Sequence, residues 1–530
     1  MNHKNFSLNS NNSIFQHIFN EYMFHDQYTI CFIQDLVVFK KMYRINLKSN
    51  LEPGFKSKIK WCYHIFSNNV QLYIDSFTIQ NKKDLLLLHS IDGVHIKQLI
   101  IKNDLQYIKK LPDNVDVLFL DIEKNQPIEF EFPAKLKELK IEYWFNASIG
   151  LLSNSLETLD LGDSYDKKIN NILPPNLKHL HLGKRFNHHL YDILPDCLET
   201  LIIRNENYMG KISQFPRNLK TLCLSYNKSH VLPDLPHQLE NLMLKNKFSQ
   251  KIKHFPPSIK NLSVGIMYNH EICFLDFQHL KIMDFGFSTY EHDFPEILPD
   301  SIEHLFLPLK FNQIIKHLPK NLKSLKLGSL FNKSIDCDLP ENLEHIQFSH
   351  DYNQSPPVFN ENLKTITFGQ QFNQPLNQLP NSLLKLKFGG KFNQPIHYLP
   401  SKLRTLDFGN DFNEHIEFLP PSLEKLVFRN DYNQPLPILP QNLRELILGD
   451  SFNQAIDQLP EKLEVLIFGD NFNGILPKRI PKNLSTLDLG ASYDQLVSEK
   501  STTNLKKDSV FEKIWHFLIG VFYLFLNIFQ

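Results

Sequence analysis

Residues 372–396 read FNQPLNQLPNSLLKLKFGGKFNQPI, and the first four letters return twenty residues later. Between the two copies lie an apolar-Pro pair, Leu379-Pro380, and the pattern L-x-x-L-x-F at Leu383, Leu386 and Phe388. Pro fixes φ and lacks an N–H, so Leu379-Pro380 suits the bend entering a strand and not the strand itself. Leu383, Leu386 and Phe388 are spaced to reach one core. Gly389 follows where a sharp turn is expected. The aromatic-Asn pair Phe392-Asn393 closes the unit.

Working outward, L-x-x-L-x-[LF], with Ile, Val or Met as substitutes, starts nineteen times between Val115 and Leu484, at steps of 20 to 22 residues. From Leu343 to Leu463 every step is 20. A fixed period of this length is the signature of a solenoid. Twenty residues are too few for a strand, a full helix and two loops. The expected fold is therefore a mainly β repeat solenoid: about 19 coils, each with one short strand, stacked into a parallel sheet. Ile96–Ile101 reads as one more, divergent coil.

The residue after the first Leu tests this stacking. Down the array it reads Lys137, Glu157, Lys178, Glu199, Lys220, Glu240, Lys260, breaks at Lys281, then resumes with Glu303, Lys323, Glu344, Lys364, Leu384, Arg404, Glu424, Arg444, Glu464. Opposite charges on adjacent strands stabilise by roughly 0.2–1 kcal/mol per pair and like charges destabilise. Alternation makes sense when each coil lies in register on the next. It also accounts for the balance of 57 basic and 57 acidic residues. That balance leaves no basic field to draw in nucleic acid.

The aromatic-Asn units resemble the FNIP repeat, a family frequent in social amoebae and their large DNA viruses and similar in turn to leucine-rich repeats. The resemblance is carried by FNQPL (372–376), FNQPI (392–396) and YNQPL (432–436), with looser copies FNKSI (331–335) and FNQAI (452–456) in the same phase. It spans about residues 111–495. The Asn stands eleven positions into the unit, where leucine-rich repeats place it ninth, and an aromatic precedes it. The resemblance implies an interaction scaffold with no enzymatic activity and no cofactor.

The Asn column comprises Asn187, Asn312, Asn332, Asn353, Asn373, Asn393, Asn413, Asn433, Asn453 and Asn473. Asn carries both donor and acceptor groups. At a coil corner it is expected to be buried and to satisfy turn backbone groups. Recognition is expected where the third and fifth strand positions vary: Thr365, Lys385, Thr405, Lys425 and Glu445 in one column, Thr367, Lys387, Asp407, Val427 and Ile447 in the next.

The ends differ from the array. Residues 1–110 lack the repeat, and 13–45 step in apolar residues as short helices do, at Ile14, Phe15, Ile18, Phe19, Tyr22 and Met23. This looks like either an F-box, which binds the Skp adaptor of a ubiquitin ligase, or a plain helical N-terminal cap. After a polar link (496–508), residues 509–530 hold an apolar run from Ile514 to Phe529, expected as a helix about 24 Å long. It reads as a cap on the last coil or as a membrane tether. With a polar start and six cysteines lacking a C-x-x-C pair, the chain is expected in the reducing cytoplasm. Asp-Phe-Gly at 284–286 and 407–409 falls at one repeat phase, with Phe as core and Gly as turn. His179, His181, His188 and His189 are scattered histidines of an array rather than metal ligands. No metal site is expected.

Overall fold

A computed structural model describes residues 30–34, 41–45 and 70–493, apart from short gaps at 90–94, 103–107, 123–124, 171, 226–230, 377 and 478. The chain forms two compact units, Met1–Leu239 and Glu240–Gln530. Strands are numbered in chain order.

In unit 1, β3 (Val70–Ile79), β4 (His95–Lys102), β5 (Val115–Asp121) and β6 (Glu138–Ile141) pair in parallel, and the ladder continues to β10 (Thr221–Leu224). The parallel array thus begins before residue 110. The helix α1 (Lys82–His89) links β3 and β4. In unit 2 the strands run in parallel register from β11 (Asn241–Leu244) to β23 (Thr486–Asp488), mostly three residues each. Each unit is a parallel β-solenoid with one short strand per coil. One short strand per coil is what twenty residues allow.

The expectation of helices over 13–45 fails where it is described. Ile30–Gln34 (β1) and Lys41–Ile45 (β2) are antiparallel strands, and β2 pairs in parallel with β3. ICFIQ and KMYRI are rich in β-branched and aromatic residues, which favour a pleated surface. The helical stepping at 14–23 and the apolar run 509–530 lie outside the described residues.

The coil core follows the sequence pattern. Leu383, Leu386, Phe388 and Phe392 are at most 1% exposed. Rings stack from coil to coil in two columns: Phe388 lies 5.5 Å from Phe368 and 5.6 Å from Phe408, while Phe392 lies 5.9 Å from Phe372 and 6.0 Å from Phe412. Phe388 and Phe392 stack on each other at 3.8 Å, tying strand end to turn within one coil. In most units the Pro supplies its carbonyl to a tight turn: Leu383 N–H donates to Pro380 O at 3.1 Å, and Leu403 repeats this with Pro400, while Ser153 and Asn360 take the same place for Leu156 and Leu363.

Gly389 needs a different explanation from the sharp turn expected of it. Its φ is ordinary, and a Cβ there would sit 1.9 Å from the carbonyl oxygen of Gly369 in the neighbouring coil. At Gly409 the same clash, with Gly389 O, falls to 1.5 Å. Close backbone approach between coils selects glycine, not backbone handedness.

The charge column forms the expected ladder. In unit 1 Lys178 reaches Glu157 at 2.9 Å and Lys220 reaches Glu199 at 2.8 Å. In unit 2 Lys260 reaches Glu240 (3.0 Å), Lys364 reaches Glu344 (2.8 Å) and Arg444 reaches Glu464 (2.6 Å). The break at Lys281 is resolved by direction. Lys260 pairs backward, Lys281 pairs forward with Glu303 at 3.0 Å, and Glu303 also takes Lys323 at 2.6 Å.

Candidate interaction face

The Asn column lines a turn, not the core. Asn393 and Asn373 are half-buried, and Asn187, Asn312, Asn332 and Asn453 are exposed, so the expectation of burial does not hold. The preceding aromatic takes the interior, and the Asn stands beside it where water reaches its outer side. Its hydrogen bonding runs between coils. Asn393 Oδ1 accepts the N–H of Asn413 at 2.9 Å, and Asn373 Oδ1 accepts the N–H of Asn393 at 2.9 Å and Gln394 Nε2 at 3.1 Å. Asn332 through Asn473 repeat the step. In unit 1 Asp166 enters the same chain, accepting the N–H of Asn187 at 3.1 Å.

A second polar column precedes the first Leu, and sequence reading passed over it. Asn176 and Asn442 donate through Nδ2 to carbonyls of the previous coil at 3.0 Å. Ser155 and Ser422 do the same through Oγ. Its signal was the Asn or Ser that precedes the first Leu in most units. Asn and Ser share little shape, but both put a donor one short arm from the backbone.

The strand face carries the columns singled out for recognition, in register: Thr365, Lys385, Thr405, Lys425 and Glu445 align, as do Thr367, Lys387, Asp407, Val427 and Ile447. Lys385 is exposed, and most of the others are half-buried. Val427 departs from this at 6% exposed. It is an apolar residue flanked by an ion pair, since Arg429 holds Asp407 through Nε and Nη2 at 3.1 and 3.0 Å. Lys387 also reaches Asp407, at 3.4 Å, and Lys425 pairs with Glu445. The face is therefore a set of matched charges with neutral residues between them.

Unit 1 has a related arrangement that the sequence reading missed. Arg204 spans two coils to hold Asp160 through Nη1 and Nη2 at 3.1 and 2.8 Å, with His181 Nδ1 at 3.4 Å between them. Burial pushes the Asp160 carboxyl up, but His181, Arg204 and the N–H of Gly162 outweigh it and hold the group well below the usual carboxylate range. Arg204 and Arg429 both occupy the repeat position where Gly183, Gly389 and Gly409 stand, and Asp160 and Asp407 share the fifth strand position. An Arg in a glycine slot, answered by an earlier strand-face Asp, was the readable signal. Tyr143 and Trp144, 59% and 70% exposed, border the same part of unit 1.

The other motifs resolve into framework. Phe285 and Phe408 are fully buried, and Asp284 Oδ1 accepts the N–H of Gly286 at 2.7 Å. The histidines are engaged one by one. His179 Nδ1 meets Thr200 Oγ1 at 3.0 Å, His188 Nε2 meets Asp166 Oδ1 at 3.2 Å, and His189 Nδ1 accepts the N–H of Lys211 at 2.8 Å. Among the described residues no group of three or more His, Cys, Asp or Glu is placed to hold a metal ion.

The profile of the FNIP Repeat family matches residues 165–206, 311–338, 357–391, 392–431 and 432–471. The chain carries FNIP repeats. Within unit 2 the coils before the second FNIP segment keep the same parallel strand register. Among solved structures, the chain is similar to CroV588, a circular leucine-rich-repeat protein, at 26% identity over 91% of this chain and 82% of that one, with a TM-score of 0.54. YopM from Yersinia enterocolitica WA-314 matches at 20% identity over 79% of this chain and 88% of that one, with a TM-score of 0.44. No curated protein matches. The FNIP array is thus a leucine-rich-repeat-like solenoid, a fold commonly used to bind other proteins.

Proposed function

We propose that this FNIP-repeat chain is a non-enzymatic scaffold that holds a protein partner on the strand face of unit 2. The observation that carries this reading is the division of labour along each coil. Leu, Phe, Asn and Gly recur because core, ladder and close approach require them. Lys385, Lys387, Thr405, Asp407, Lys425, Glu445 and Ile447 differ from coil to coil at positions that reach the surface. Specificity belongs to side chains that the frame leaves free to vary.

The test is proximity labelling in cells with the native chain and with Lys385→Glu combined with Lys425→Glu. Circular dichroism controls for folding. Loss of a discrete set of labelled proteins supports the face; an unchanged set rejects it. The F-box reading of residues 13–45 has the sequence resemblance in its support, while the strands β1 and β2 inside that stretch count against the short helices it implies. A pull-down of the Skp adaptor with the full chain checks it, and no recovery removes it. Cytoplasmic location and a membrane tether through 509–530 are separated by fractionating cells that express the full chain or a chain ending at Asp508. An unchanged soluble pool rejects the tether.

A further inference from the structure

The last coil of unit 2 is built like the others but is not sealed like them. Leu443, Leu446 and Leu448, and then Leu463, Leu466 and Phe468, are at most 3% exposed. The equivalent Leu484, Leu487 and Leu489 are all half-buried. Each inner coil is covered by the coil that follows it, whereas β23 is the last strand among the described residues and pairs with β22 (Val465–Ile467). An apolar core left open at a solenoid end calls for a covering element.

The sequence continues past this edge with a segment of matching chemistry. Residues 510–530 read VFEKIWHFLIGVFYLFLNIFQ. A helix over Ile514–Phe529 would measure about 24 Å, short of the roughly 30 Å hydrocarbon layer of a membrane. His516 and Asn527 interrupt its apolar face. The stretch from 494 to 509 can extend to about 50 Å. The open coil surface is about one strand spacing, roughly 5 Å, beyond β23.

We propose that residues 510–529 fold back onto the exposed edge of the last coil and cover Leu484, Leu487 and Leu489. This is independent of the partner-binding reading, because it concerns the end of the array and not the strand face of its middle.

The chain has three tryptophans, so replacing Trp61 and Trp144 by Phe leaves Trp515 as the single reporter. In dilute, vesicle-free buffer its emission should be blue-shifted and weakly quenched by iodide. Adding Leu487→Asp should shift it to the red. Emission from a water-exposed indole overturns the proposal, as does a blue shift that survives Leu487→Asp. A blue shift that needs phosphatidylcholine vesicles assigns the segment to a membrane instead, and one lost on dilution assigns the edge to a second copy; either result also overturns it. Hydrogen exchange on the unaltered chain gives a second reading. Ending the chain at Asp508 should speed exchange of amides 486–490 about tenfold or more, with amides 405–447 unchanged; equal rates overturn it.

Discussion

Asn393 gives its side-chain oxygen to the N–H of Asn413, while Gln394 donates to Asn373 from a longer arm. The two neighbours look equally repeated in sequence, yet one ties its side chain to the backbone of the next coil and the other adds a shared bond to an acceptor already in use. Asn393→Ala should therefore cost about 1 kcal/mol and Gln394→Ala clearly less, since both sites are half-open to water. Thermal unfolding of the two variants checks the order, and equal losses would remove the Asn ladder as a source of stability. Glu303 makes a pH-dependent claim at the same scale. Hydrogen bonds from Lys323 and then Lys281 lower its carboxyl from the ordinary 4.5 to about 2. A depressed folded value contributes stability above pH 4.5 that fades as the pH falls towards 2. Glu303→Gln should melt lower than the native chain at pH 7, and that gap should close across this window. The site is exposed, so the effect should be small and shrink with added salt.

Within a coil, the aromatic pair and the glycine set the packing. Phe392 is fully buried between Phe372 and Phe412 and stacked on Phe388. Replacing it with Ala opens a cavity with rigid rings on several sides, at a cost of about 3–5 kcal/mol by urea denaturation. Gly409→Ala pushes a methyl group against Gly389 O and should cost about 1–3 kcal/mol, also by urea denaturation. Ser349 and Arg429 stand in the same repeat position, so a coil does admit a side chain there when its neighbours differ. A loss below the error of the measurement at Gly409 would mean that the coils separate more readily than their backbone spacing implies.

Across the whole array, stability should be a sum over coils and the interfaces between them. The charge ladder makes those interfaces distinguishable. Deleting 423–442 brings Arg404 against Arg444, whereas deleting 403–422 brings Leu384 against Glu424. Both remove one twenty-residue coil in frame. The first should be less stable by about 0.5–1 kcal/mol at low salt, with the difference shrinking at high salt. Melting the two deletions side by side decides the matter, and identical melting temperatures at low salt would show that the ladder adds nothing.

The period, the inward residues Leu383, Leu386, Phe388 and Phe392, and the alternation of charge determined the solenoid from sequence, because stacking forces every coil to solve the same packing problem in the same phase. Tertiary structure decided what depends on distances between coils. It placed the Asn column at the water-facing turn instead of the core. It gave Gly409 its role through a neighbour's carbonyl 1.5 Å from where a Cβ would stand. It joined Arg204 to Asp160, 44 residues apart, and buried Val427 within a face that sequence read as open. A one-dimensional repeat fixes which residues share a column; how far each side chain reaches along that column is set by the spacing of folded coils.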